Sequence, residues 1–488
     1  MSSVRRLAVA DNLAWLGAVE PGSVQVAYLD PPFNSGRNYE ARLSRGSTTK
    51  AFIDTWQWDS ATSVALDTLG SFLSPEAERV ISGLVAVLGP RNPMASYLVS
   101  LASRIGAAHR ALADTGSLFL HCDPSASHYL KLVLDAVFGP ANFRNEIVWK
   151  RTNAHSGSRR FGPIHDVILF YSKSPSFTWR QQYTPYSNEY IEKFFTGSDA
   201  RGRYQAITCT GPGSRLGTRA HYEWRGVWPP EGRHWAWTYD KMQEFEEQGL
   251  LEYSRNGVPR YKKYVHDSAG LKVQDVWSDL PALSAHASER VGYDTQKPVA
   301  LLERLIGVVS DPGDIVLDPY AGTGTTAVAA ERMGRGWLVA DVSPLAASIA
   351  LARVRADAPH AVIETSGFPE TPKAAASLRE VDSVSYAMWA TAFMATQIDR
   401  SRPTSTIAIG RRSWKPGFLG VVPLSAKGLP VETAGLRDGV ILEGPGYRNI
   451  AKMITGRTGV DLPVVSLSAL TSEVARRQGR AEHELGYL

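Results

Sequence analysis

Two short stretches carry residues arranged for chemistry. The first is VAYLDPPFNSGRNY, residues 26–39, in which an apolar run ends in Asp30, Pro31, Pro32 and Phe33. A carboxylate followed by two rigid residues without N–H groups adds nothing to a strand ladder. It does suit an amine attached to an aromatic ring. The lone pair of such an amine is delocalised into the ring, so the nitrogen attacks poorly. Two acceptors, the Asp30 carboxylate and the Pro31 carbonyl on its fixed backbone, can take both N–H bonds and free that lone pair. Phe33 offers a face on which a planar base can stack. Taken alone, Asp30-Pro-Pro also fits a plain turn or helix cap at a strand end.

The second stretch is VLDPYAGTGTT, residues 316–326. A buried strand ends in Asp318, and Gly322 and Gly324 turn the chain into a helix at Thr325. Glycines allow close backbone approach to a ligand, and a helix start offers unpaired N–H groups. Asp341 follows 23 residues after Asp318, at the tip of the next strand, WLVAD. An acid at that spacing is placed to hold the two hydroxyls of a ribose. No Gly-Lys-Ser/Thr loop is present, so phosphate hydrolysis is not supported. Asp318 would repel a pyrophosphate but attract an ammonium. S-adenosylmethionine carries a ribose, an ammonium and a sulfonium, and meets all of these conditions.

The elements that must position these residues can be read from periodicity. Strands are expected at 24–29, 117–121, 145–150 and 166–171, with helices at 94–113 and 128–138. A polar, basic loop, RTNAHSGSRRFGPIH, joins the third and fourth strands. Strand–helix alternation implies a parallel α/β sheet. It fades at about 172 and resumes at 298 with a helix to 310, strands at 314–317 and 337–340, a helix over 325–333 and another after Pro344. Asp11-Asn12 also fits an N-cap for a short helix starting at Leu13. His121-Cys122-Asp123 sits at a strand end and reads as core followed by a turn. His155 and His165 read as polar contacts in the basic loop. No metal site is expected.

D30-P-P-F33 with D318-P-Y-A-G-T-G-T-T326 resembles the amino-methyltransferases of DNA. The order, with the catalytic tetrapeptide first, a variable segment next and the cofactor turn last, is similar to the permuted β group of restriction–modification systems. Ala10-Asp-Asn-Leu13, Asn145-Glu-Ile-Val-Trp149 and Thr295-Gln-Lys-Pro298 match in that same order, so the resemblance covers residues 1 to about 355. Tyr320 and Ala321 stand where the family usually has Phe and often Cys. The resemblance implies a Rossmann-like α/β methyltransferase sheet, circularly permuted, with S-adenosylmethionine as cofactor. It implies catalytic roles for Asp30, Pro31, Pro32 and Phe33. It implies cofactor contacts from Asp11, Asp30, Lys297, Asp318, Tyr320, Gly322, Gly324, Thr325 and Asp341.

The target is then the exocyclic amine of adenine in double-stranded DNA, flipped from the duplex. Cytosine N4 is the alternative, and Asp30 favours adenine because Ser is more usual in the cytosine enzymes. Protein glutamine and RNA methyltransferases share the tetrapeptide, but usually with the cofactor turn first. A non-catalytic DNA-binding relic fits poorly with so complete a set of acids and glycines. Four spans are expected. Residues 1–171 form the catalytic half, 172–290 an inserted target-recognition segment, 291–358 the cofactor half and 375–488 a small C-terminal domain of unknown role. The insertion holds Trp179, Trp224, Trp228, Trp235, Trp237 and Trp277, read mainly as core. Among them lie Arg201, Arg203, Arg215, Arg219, Arg225 and Arg233, read as DNA contacts with Arg159 and Arg160 of the basic loop. The basic stretch 410–417 fits an added contact surface or an ordinary turn between two strands.

Bulk composition is consistent with this reading. The chain has 488 residues, 43% hydrophobic and 21% charged, with a formal net charge of +5. That is an ordinary globular balance, mildly basic, with room for two or three domains. Two cysteines supply neither a disulfide framework nor a zinc site, which points to a reducing cytoplasm. No apolar run reaches the length of a membrane span. A restriction endonuclease subunit and a homodimer are left open as partners.

Overall fold

The computed structural model describes residues 4–44, 47–152, 159, 161–284, 287–291, 293, 295–358, 361–368 and 377, with backbone only over 37–53. Further along it describes the backbone of five strands, Thr396–Ile398, Ala408–Arg412, Phe418–Pro423, Gly439–Glu443 and Val464–Val465, which join in one sheet. The second and third of these pair antiparallel on either side of residues 413–417, which lie outside the described residues. Two compact units are present. One comprises Met1–Arg180 with Asp275–Leu488, the other Gln181–Gln274.

The larger unit is built on a nine-stranded sheet. In chain order its strands are β1 Arg5–Val9, β2 Val24–Leu29, β3 Leu112–Cys122, β4 Phe143–Lys150, β5 His165–Ser172, β6 Val276–Trp277, β7 Ile315–Asp318, β8 Gly336–Asp341 and β9 Glu364–Ser366. Across the sheet the order is β6-β4-β5-β3-β2-β7-β8-β1-β9. β2 and β7 are parallel neighbours, with Val26 opposite Val316 and Ala27 opposite Leu317. β8 runs parallel to β7, and β3 parallel to β2. Every residue of β2 is buried, as a strand covered on both faces requires. Gln25 within it is satisfied by donating to the carbonyls of Thr115 and Val309.

The expectation of a parallel sheet needs one correction. β5 runs antiparallel to both β3 and β4. The linking sequence between β4 and β5 is polar and rich in Gly, Ser and Arg. It has no apolar face with which a crossover helix could cover the sheet, and without a crossover consecutive strands pair antiparallel. Trp277 also departs from expectation. It lies in β6, opposite Trp149 of β4, and so belongs to the core sheet. The insertion expected over 172–290 is wider than the compact unit Gln181–Gln274.

Helices of the larger unit include α1 Asn12–Gly17, α2 Pro75–Leu88, α3 Pro93–Ala111, α4 Pro124–Phe138, α5 Val299–Val309, α6 Thr325–Arg332 and α7 Pro344–Asp357. Their starts follow side-chain chemistry. Asn92, Asp123 and Ser343 accept backbone N–H groups at the N-caps of α3, α4 and α7, each with Pro at the first position. One core joins Leu98, Leu101 and Ile105 of α3 and Leu130 and Leu134 of α4 to Leu118 and Leu120 of β3 and Leu169 of β5. Each such side chain contributes about 1.5–3 kcal/mol through burial. No helix among the described residues is long and apolar enough to cross a membrane.

Candidate active site

The C-terminal ends of β2, β7 and β8 lie side by side, because the three strands are parallel and adjacent. In open α/β sheets this edge is where ligands bind. β2 delivers Asp30 there. Beyond it the chain is held by Asp54, whose buried carboxylate accepts the Asn34 N–H at 2.6 Å and the Ser35 N–H at 2.9 Å. Asn34 sits at φ +59°, a left-handed conformation that Asn tolerates. Sequence reasoning passed over Asp54. Its only signal is an acid closing the stretch that follows the tetrapeptide.

β7 delivers Asp318, which folds back onto its own turn. It accepts the Tyr320 N–H at 2.8 Å and the Thr326 hydroxyl at 2.5 Å. Gly322, at φ +50°, points its N–H at Asp341 Oδ2, 2.8 Å away, while Ser343 N–H reaches Asp341 Oδ1 at 2.8 Å. Gly324 is needed twice over. Its φ is +76°, and a Cβ there would lie 2.6 Å from Ala350 Cβ of α7. Arg353 ties the turn down by donating to the Thr323 carbonyl and the Thr325 hydroxyl. Thr325 in turn donates to the Lys297 carbonyl at 3.3 Å.

These ends open into one cavity of about 560 Å3. Asp11, Asp30, Pro31, Pro32, Phe33, Lys297, Asp318, Tyr320, Gly322, Thr325 and Asp341 all line it. Gly324 is absent from the lining, since its place is against α7. Asp11 caps α1 through Leu13 and Ala14 N–H and also pairs with Arg104. Asn12, beside it, donates to the Pro319 carbonyl and accepts from Arg104.

Charge inside the cavity is unevenly balanced. Burial pushes the Asp318 carboxyl up to about 7, and the charges of Asp30 and Asp341 add to the effect. Burial likewise takes Asp341 up to about 6, against the pull of the Ser343 and Gly322 N–H groups. Arg104 and Lys297 are both among the lining cations; Lys297 Nζ donates to Asp30 Oδ2 at 2.5 Å and lies 5.1 Å from the Phe33 ring centroid. Lys297 is thus brought to the tetrapeptide, a pairing that spacing in the sequence does not show.

A site for a ribose, an ammonium and a stacked base fits these residues. The volume lies in the range of about 300–1,000 Å3 typical of small-molecule pockets. The acceptors are carboxylates held by internal bonds that leave lone pairs unused. A Cβ on Gly322 would meet nothing nearer than the Tyr320 carbonyl at 3.9 Å, so the backbone there stays open. Among the described residues no three His, Cys, Asp or Glu side chains gather as a metal site.

Residues 24–351 match the DNA methylase family N6_N4_Mtase. The chain belongs to that family. It is 30% identical over 260 residues to the type II methyltransferase M.EcaI of Enterobacter cloacae, covering 53% of this chain and 57% of that protein. Similarity to the type III restriction-modification enzyme StyLTI Mod subunit of Salmonella typhimurium is 26% over 321 residues, or 62% and 46% of the two chains. A third relative, the DNA adenine methyltransferase YhdJ of Escherichia coli, is 22% identical over 335 residues, covering 68% and 76%. The chain spans about half the length of the first two relatives.

The arginines expected to contact DNA fall in both units. Within the unit Gln181–Gln274, Arg201, Arg203, Arg215 and Arg219 are exposed. Two other arginines of the expected set make pairings within the unit. Arg225, at φ +48°, pairs with Glu246 at 2.7 Å. Arg233 donates to the hydroxyl and carbonyl of Thr210, fixing the short hairpin of Thr210–Pro212 with Arg233–Trp235. Trp224 and Trp235 are buried in the core of this unit with Met242 and Leu251, and Trp237 packs against it. Trp228 is half exposed. In the larger unit Arg159 is exposed, and Arg160 and His155 lie outside the described residues.

Proposed function

We propose that this chain is a site-specific DNA methyltransferase that moves a methyl group from S-adenosylmethionine to the exocyclic amine of adenine in double-stranded DNA. One observation carries the reading. The acceptor tetrapeptide and the glycine turn, almost three hundred residues apart, open into a single cavity from adjacent strands, with Asp341 beside them. The order of the two motifs supports placement in the permuted β group. The methyl donor supplies an activated sulfonium methyl when bound.

The chain's own residues do the rest. Asp341 accepts from the ribose hydroxyls, and Asp318 faces the ammonium. Asp30 Oδ and the Pro31 carbonyl would accept the two N–H bonds of the flipped amine, Phe33 would stack on the base, and Asp30 would collect the proton that the amine sheds as it gains the methyl group. Asp30 is paired with Lys297 in a cavity that Asp318 and Asp341 also line. Rate comes from positioning and fixed dipoles, with no covalent enzyme intermediate. Exposed arginines of the unit Gln181–Gln274 hold the duplex through its phosphates and read its bases.

Adenine is favoured by Asp at the first tetrapeptide position, and a relative carries that specificity in its name. The test is methyl transfer from labelled S-adenosylmethionine to duplexes containing adenine but no unmodified cytosine, and the reverse. Long-read sequencing of DNA from expressing cells then gives the modified base and its motif. Label on adenine supports the reading. Label on cytosine N4 keeps the enzyme class and overturns the base, and no label on either duplex overturns the class.

A further inference from the structure

Behind the tetrapeptide lie three buried polar side chains that the proposed chemistry does not use. They are Tyr28 of β2, His121 of β3 and Asp166 of β5, at 2%, 0% and 1% exposure. Tyr28 is opposite Phe119, and His121 is opposite Ile168. Strand alternation therefore places Tyr28, His121 and Asp166 on one face, in a diagonal across three neighbouring strands. Tyr28 Oη lies 2.9 Å from His121 Nδ1, and His121 Nε2 lies 3.2 Å from Asp166 Oδ2. Three polar groups in an apolar sheet cost free energy that hydrocarbon side chains would avoid.

The protonation pattern follows from the surroundings. Burial raises the Asp166 carboxyl, but the hydrogen bond and charge of His121, then the charges of Lys297 and Arg151, outweigh it and hold it below the usual carboxylate range. An ionised carboxylate only accepts, so His121 Nε2 carries a proton. Burial, with the charges of Asp30, Asp318 and Asp166, raises the Tyr28 hydroxyl well above its ordinary value, so it keeps its proton. Tyr28 and Asp166 thus hold the imidazole at its two nitrogens.

An imidazole bonded at both nitrogens cannot turn about its ring axis. Its plane is further fixed by Trp149, which meets it edge-on at 5.7 Å and 82°. The face of this immobilised ring stacks on Phe33, with centroids 5.6 Å apart and planes at 30°. Phe33 itself lies beyond the end of β2, where no strand ladder holds it. Its ring is located by what stacks on it.

Resting on the reading above, we infer that His121 is a positioning residue for the flipped base, acting through Phe33. Tyr28 and Asp166 clamp the imidazole, the imidazole sets the plane of Phe33, and Phe33 sets the plane of the base whose amine reaches Asp30. The arrangement is a stack of plates with its last place reserved for the substrate.

The test is a double-mutant cycle on the full chain. The measured quantities are kcat/KM for methyl transfer to PCR-amplified, unmodified plasmid DNA and S-adenosylmethionine affinity by calorimetry. His121→Gln keeps an acceptor for Tyr28 and a donor for Asp166 but removes the ring. It should lower kcat/KM for DNA by about tenfold or more, as small misplacements at a reacting centre do. Cofactor affinity should stay within about twofold of the wild type. In a Phe33→Leu background the same change should cost less than about twofold further, because the residue through which it acts is gone. Tyr28→Phe, a milder release of the clamp, should show the same dependence on Phe33 and provides the measurement if His121→Gln does not fold. Equal losses in both backgrounds would overturn the inference. A wild-type protein that labels no DNA would instead overturn the methyltransferase reading.

Discussion

Asp30 can receive a target amine only where Lys297 shares or yields it, since the ammonium already lies on the carboxylate and over Phe33. Asp30→Ala should abolish methyl transfer and leave cofactor affinity largely intact; substantial turnover by the variant would remove Asp30 from the mechanism. In the proposed mechanism cofactor binding rests on Asp318 and Asp341. Asp341→Ala should weaken S-adenosylmethionine by about 1.5–3 kcal/mol, the scale of a hydrogen bond to a charged group. Unchanged calorimetric affinity would place the ribose elsewhere. Both Asp318 and Asp341 titrate high, near 7 and 6, so at pH 5.5 the free protein holds them largely protonated. An ammonium and donating hydroxyls need the ionised forms. Affinity should therefore fall as pH drops through 7 and then 6, by up to about tenfold per pH unit for each group, with protons released on binding at pH 6.5. Calorimetry in buffers of different ionisation enthalpy measures that release, and none at all would exclude both acids. Stability takes the opposite sign. Between about pH 4 and 7 the folded chain holds more protons than the unfolded at these positions, because burial penalises their ionisation, so the cofactor-free protein gains stability as pH falls through that window.

Among the elements, the turn from β7 into α6 is the most constrained. Gly324→Ala would need a left-handed alanine and a Cβ 2.6 Å from that of Ala350. We expect a loss of about 1–3 kcal/mol in thermal or denaturant unfolding, as overpacking gives, and weakened cofactor binding as α6 shifts off α7. A variant as stable as the wild type would mean that α7 can retreat. This turn and most core elements were legible in the sequence, because a buried strand with neighbours on both sides is apolar throughout and a helix against it keeps its spacing. β2 was read to its observed ends. β1, with two arginines in five residues, and β6 and β9, only two and three residues long, carry too little apolar pattern to be seen. The Tyr28–His121–Asp166 diagonal was hidden for a different reason. His121 was read as core, which it is, but its partners come from strands 93 and 45 residues away.

At the scale of the molecule, the separation of a compact unit at Gln181–Gln274 from the sheet-bearing unit predicts that recognition and chemistry can be altered independently. Single alanine variants at Arg201, Arg203, Arg215 and Arg219 should weaken DNA binding. A phosphate contact should reduce the salt dependence by about one charge, and a base contact should cost about 1–3 kcal/mol on the cognate site alone. Arg233→Ala should instead destabilise its own unit, since its guanidinium is occupied by Thr210. Binding to cognate and scrambled duplexes at several salt concentrations separates these outcomes; four variants indistinguishable from the wild type would place the reader elsewhere. Which arginines pair within the unit could not be read from the sequence, because neither Glu246 nor Thr210 is near its partner in the chain.

The pairing of β2 with β7 also has a consequence in time. Val26 meets Val316, a residue made 290 positions later. At roughly 5–20 residues per second, the ribosome leaves β2 without that neighbour for about 15–60 s. β3 arrives early and covers one side. The other side is a bare apolar edge, open to any passing strand until the last quarter of the sheet emerges. A newborn chain therefore carries Asp30 long before the residues that complete its cavity, and its period of greatest exposure to aggregation ends with the same pairing that completes the site.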